Sequence, residues 1–62
     1  LTEREREILR LLAAGNTNQQ IGLALSLSSG TVRNHITRLL RKLGAADRTQ
    51  AAVRAVEWGL WD

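Results

Sequence analysis

Apolar positions along the chain repeat at steps of three and four residues. Ile8, Leu9, Leu11 and Leu12 form one stripe, and Ile21 and Leu25 a second with Ala24 beside them. Val32, Ile36, Leu39, Leu40 and Leu43 form a third. Ala51, Ala52, Val53, Ala55 and Val56 supply a fourth. Such spacing marks helices with one buried face. With no Pro and little strand signal, the pattern predicts four helices, at about residues 3–14, 17–25, 29–43 and 48–58. The expected fold class is all-α, a four-helix bundle containing a helix-turn-helix.

Punctuation agrees with the periodicity. Thr2 with Glu5, Thr17 with Gln20 and Asp47 with Gln50 each have the spacing of a capping box. Ser28 caps a further start, with Thr31 in the reciprocal position. Gly15, Gly44 and Gly59 each follow an apolar run and mark helix ends. Only "SLS", Ser26 to Ser28, joins the second helix to the third. So short a turn makes the two helices cross steeply, and Leu27 within it should plug the corner.

Length and composition narrow the field. A chain of 62 residues is one small domain, near the lower limit for folding alone. It has no Cys, so neither disulfides nor a zinc site can staple it. No run of roughly 18 apolar residues is present, so a membrane span is not expected. The chain reads as a piece of a longer cytoplasmic protein.

Charge changes the picture more. The formal net charge is +3. Residues 1–16 hold three Arg and three Glu, and residues 17–28 hold no charge. Residues 29–43 carry Arg33, Arg38, Arg41 and Lys42 with no acidic residue, and residues 44–62 are slightly acidic. All the net positive charge therefore falls on the third helix.

The helix positions outside its apolar stripe are Gly30, Arg33, Asn34, Thr37, Arg38 and Arg41. A basic helix face is often merely solvated. Here Arg33, Asn34 and Thr37 cluster in the N-terminal half, where a helix end would enter a groove. Arg pairs bidentately with guanine, Asn with adenine, and a Thr methyl touches thymine. Asn18, Gln19, Ser28, Ser29 and Thr31 lie near two helix N-termini, where hydroxyls, amides and free backbone N–H groups suit phosphate oxygens. Together these features describe a helix-turn-helix with its third helix in a major groove.

The residues also resemble a known family. "LTERE", "GNTNQQI", "LSLSSGTVRNH" and "KLGAADRTQA" are similar to the LuxR-type (NarL/FixJ-type) DNA-binding domain of bacterial transcription regulators, and the match runs from Leu1 to Leu60. The resemblance implies a tetrahelical domain that recognises double-stranded DNA with its third helix and dimerises through its fourth. Base-reading positions would be Arg33, Asn34 and Thr37. Phosphate contacts would involve Asn18, Thr31, His35 and Lys42, and the charge and hydroxyl pattern adds Ser29, Arg38 and Arg41. Ala51, Ala52, Ala55 and Val56 are the candidate homodimer contacts. A dimer would face an inverted repeat with half-sites about one helical turn apart. RNA polymerase is a candidate further partner, and a separate sensing part upstream is implied. Neither cofactor nor metal is expected. Gln20 stands where many relatives have Glu, and Gly30 where many have a long charged side chain. Gly30 costs roughly 1 kcal/mol of helix propensity against Ala.

Single residues need weighing. His35 follows Thr31 by one turn, a spacing that could suggest a base beside a nucleophile. No third group orients the pair, so His35 reads as an anchor or a phosphate contact, and the chain as no enzyme. Glu5 reads first as a cap and second as the partner of a basic residue on the third helix. Trp58 and Trp61 read as closing the core or shielding a dimer contact, not as base-stacking groups. The rival function is a protein-interaction module whose basic face binds an acidic partner.

Overall fold

A computed structural model describes residues 1–59. Four helices follow one another: α1 (Glu3–Ala13), α2 (Asn18–Leu25), α3 (Ser29–Leu43) and α4 (Arg48–Trp58). The predicted spans hold, except that α1 stops a residue earlier and Thr17 lies outside α2 as its cap. No helix among the described residues is long and apolar enough to cross a membrane.

The caps explain where the helices begin. Thr2 Oγ1 accepts from the Glu5 N–H at 3.1 Å, and Glu5 Oε1 accepts from the Thr2 N–H at 2.8 Å. Thr17 and Gln20 repeat this exchange at 3.1 and 2.8 Å. The third expected box is only half formed. Asp47 Oδ1 accepts from the Gln50 N–H, but the Gln50 side chain takes the Ala46 N–H, one residue too early. At Ser28 the hydroxyl accepts from the Thr31 N–H at 3.1 Å and donates to Thr31 Oγ1 at 2.9 Å.

The α2–α3 turn is tighter than its sequence suggests. Ser26 closes α2 in the left-handed region (φ 59°), where no glycine announces the end. The Leu27 N–H then donates to the Gly22 carbonyl at 2.8 Å, drawing the turn onto the helix. A Cβ on Gly22 would collide with the Leu27 carbonyl oxygen, so the close approach requires glycine there. Leu27 is half-buried against the core, as the corner requires.

The core comprises Ile8, Leu9, Leu12, Ile21, Val32, Ile36, Leu39, Leu43, Ala51 and Ala55. Leu11, Leu25, Leu40 and Ala52 pack against it. Three expectations are corrected here. Ala51 and Ala55 are fully buried inside the monomer, so neither is available as a dimer contact. They face inward because small side chains let α4 lie close to its neighbours. Ala24 is exposed, since α2 turns only Ile21 and Gly22 fully inward. Trp58 is 57% exposed and does not close the core, which the alanines and leucines already fill. Trp61 lies outside the described residues.

Candidate nucleic-acid interface

The third helix presents its basic side as the pattern required. Arg33, Asn34, Thr37, Arg38 and Arg41 are exposed, while Val32, Ile36, Leu39 and Leu43 are buried behind them. The side chains of Arg33 and Asn34 make no hydrogen bond to another described residue. The Thr37 hydroxyl donates to the Arg33 carbonyl at 3.0 Å. Its proton is thereby used, which leaves the oxygen lone pairs and the methyl to meet a partner. His35 is half-buried at the edge of this face.

The helix entrance is arranged for anions. Ser29 and Thr31 are exposed in the first turn of α3. Because Ser28 donates to Thr31 Oγ1, the Thr31 hydroxyl keeps its own proton to give away. The first backbone N–H groups of α2 and α3 lack intrahelical acceptors and carry the positive end of each helix dipole. No acidic residue occupies the first turn of either helix.

Ion pairing separates working charges from free ones. Arg4 pairs with Glu7 at 3.3 Å within α1. Lys42 reaches across to α1, with Nζ 2.8 Å from Glu5 Oε2 and 3.0 Å from Oε1. That ammonium, with the Thr2 backbone N–H, holds the Glu5 carboxyl well down, from the usual 4.5 to about 2. Lys42 is half-exposed, yet its charge is already answered by a buried carboxylate. Arg54 donates to the Leu43 carbonyl at 2.8 Å, fastening α4 to the end of α3, and lies over the Trp58 ring at 6.0 Å. Among the described residues, Arg33, Arg38 and Arg41 form no ion pair, and Arg6 is the similar case on α1. Unanswered positive charge is thus concentrated on α3.

Asn18 sits at the start of α2, half-buried. Its Oδ1 accepts from Arg48 Nη1 at 2.6 Å, and Arg48 Nη2 donates to the Asn16 carbonyl at 2.9 Å. The Asn16 amide in turn donates to the Leu11 carbonyl at 2.9 Å. Sequence reasoning missed Arg48 and Arg54, which it counted only as charge in a slightly acidic segment. One signal was present: Arg48 opens α4, where a cation opposes the helix dipole and so calls for a separate reason. The Glu5–Lys42 pair, weighed as a secondary reading of Glu5, is formed alongside the cap.

The residues foreseen for bases and phosphates lie on α3 and at the start of α2, all of them exposed or half-buried. The candidate dimer contacts do not form one surface. Val56 is 64% exposed and Ala52 half-buried, while the other two alanines lie inside. Val53 is exposed one turn before Val56, and Trp58 is exposed on the opposite side of α4.

Known proteins are similar to this chain in sequence and in fold. The family described as bacterial regulatory proteins, luxR family, matches residues 1–55. The chain is 56% identical over 59 residues to the uncharacterized transcriptional regulatory protein YvfU of Bacillus subtilis, covering 95% of this chain and 30% of that protein. It is 56% identical over 55 residues to the transcriptional regulatory protein LiaR of B. subtilis, covering 89% and 26%. It is 53% identical over 57 residues to the DNA-binding transcriptional activator DevR/DosR of Mycobacterium tuberculosis, covering 92% and 26%. The chain thus spans less than a third of the length of these curated relatives. A solved structure of the Vibrio cholerae VqmA dimer superposes with a TM-score of 0.92 at 35% identity, over 97% of this chain and 27% of that one.

Proposed function

This chain belongs to the luxR family of bacterial regulatory proteins, and from that premise we propose that it is the sequence-specific DNA-binding part of a longer transcription regulator. In this reading α3 lies in the major groove of double-stranded DNA. Arg33 and Asn34 pair with base edges, and Thr37 offers its methyl group. Asn18, Ser29, Thr31, His35, Arg38 and Arg41 set the register on phosphates, with Lys42 a weaker member because Glu5 already holds it. The observation that carries the reading is the set of three arginines on α3 left without ion pairs in a chain that pairs or fastens most of its other cations.

The role is binding, not catalysis, and the setting is the bacterial cytoplasm. The chain acts as the C-terminal effector part of its regulator. It pairs with a second copy through the exposed side of α4, where Val53, Val56 and the edge of Ala52 remain after the core is filled. A two-fold dimer of this kind reads an inverted repeat with half-sites about one helical turn apart.

Selection of bound duplexes from a random DNA pool at near-physiological salt tests this. Enrichment of an inverted repeat supports the full reading. Binding that salt abolishes equally for every sequence would remove specific recognition. Loss of all duplex binding, with capture of an acidic protein surface instead, would favour the interaction module.

A further inference from the structure

We propose that Arg48 is a positioning residue for DNA binding, acting through the side chain of Asn18. The inference rests on the proposed phosphate contact at Asn18 and explains how that contact is aimed. A guanidinium carries only N–H donors, so the atom facing Arg48 Nη1 at 2.6 Å must be the amide oxygen of Asn18. The amide NH2 group is then turned away from the protein's own donor and left to meet an acceptor. A phosphate oxygen is an acceptor only. Without Arg48 the amide is free to turn over before binding, and the NH2 group would have to be oriented at the cost of binding energy.

The same guanidinium fixes the base on which Asn18 stands. Its second arm holds the Asn16 carbonyl at 2.9 Å, and the Asn16 side chain is tied back to Leu11. Leu12, Gly15, Asn16, Thr17, Asn18 and Arg48 line one surface hollow between the α1–α2 loop and α4. The first residue of α4 thus orients the first residue of α2, and the forked bond needs Arg and not merely a positive charge.

Arg48→Lys tests this without changing net charge, so the long-range attraction of DNA is preserved. Affinity for a short duplex of mixed sequence is read by fluorescence anisotropy at low salt, with folding followed by helical circular dichroism. Arg48→Lys should weaken binding roughly three- to tenfold in the natural background. It should have no further effect in an Asn18→Ala background. Equal losses in both backgrounds would show that Arg48 acts elsewhere, and the positioning role falls while DNA binding stands. Unimpaired binding by Asn18→Ala would overturn it as well. A readout free of substitutions is the NMR signal of the Asn18 side-chain NH2 group, which should move on addition of duplex. A static signal would overturn the proposal even if Arg48→Lys failed to fold. Failure of the unsubstituted chain to bind any duplex would instead remove the DNA-binding reading itself.

Discussion

Lys42 of α3 bonds both carboxylate oxygens of Glu5 in α1, at 2.8 and 3.0 Å, and Glu5 also closes the cap of its own helix at Thr2. One buried carboxylate therefore joins a local signal to a contact 37 residues away. Its folded-state pKa, about 2, lies below the unfolded value of 4.5, so folding favours the charged form. The resulting stability is present in full above pH 4.5 and is lost as pH falls towards 2. Glu5→Gln keeps the cap acceptor but removes the negative charge, and should cost about 1 kcal/mol at neutral pH. Urea denaturation of the two proteins should show the difference shrinking through that pH window. A difference independent of pH would mean the pair does not stabilise the fold.

The two ends of α3 should respond differently in DNA binding. Arg33→Ala should cost about 1–3 kcal/mol and relax choice at one base pair. Arg41→Ala should weaken all sequences alike and reduce the salt slope by about one unit. Lys42→Ala should change the slope less, because Glu5 already answers that charge. Titrations at several salt concentrations compare the three, and a sequence preference altered by Arg41→Ala would reverse the assigned roles.

Gly22→Ala would ordinarily stabilise an exposed helix by up to about 1 kcal/mol. Here the new methyl meets the Leu27 carbonyl oxygen. The turn must open, and a net loss of about 1–3 kcal/mol is expected. A raised melting temperature for this variant would mean that the turn yields easily.

Ala55 and Val56 are neighbours in sequence with opposite fates. Ala55→Leu forces three extra carbons into a filled core and should destabilise the monomer by about 1–3 kcal/mol. Val56→Glu should leave the urea midpoint of the monomer nearly unchanged while weakening cooperative binding to an inverted repeat. Analytical ultracentrifugation with the repeat present separates the two effects.

Much of the fold is legible in the sequence because each helix opens on an oxygen-bearing cap and three turns end in glycine. Ser26 shows where that code stops. A serine in the left-handed region has no local signature, and its conformation follows from how α3 packs on α2. The basic face of α3 is legible for a simple reason: its charges are segregated within a single helix. The roles of Arg48 and Arg54 are not, since their acceptors are an amide and two carbonyls far along the chain. The side of α4 that turns inward is also hard to read. Alanine lies on both sides of that helix, and its small volume marks neither core nor surface.

The fastenings of this molecule, from the Glu5–Lys42 bridge to the Arg48 fork and the Arg54 bond, all avoid Arg33, Asn34 and Thr37. Those three side chains can therefore be exchanged with little debt to stability. A scaffold of this kind can diverge after duplication, each copy acquiring a new target by changes at a few exposed positions while the same core is inherited intact. Re-engineering of the target meets the same freedom: a library randomised at these three positions should yield mostly folded members.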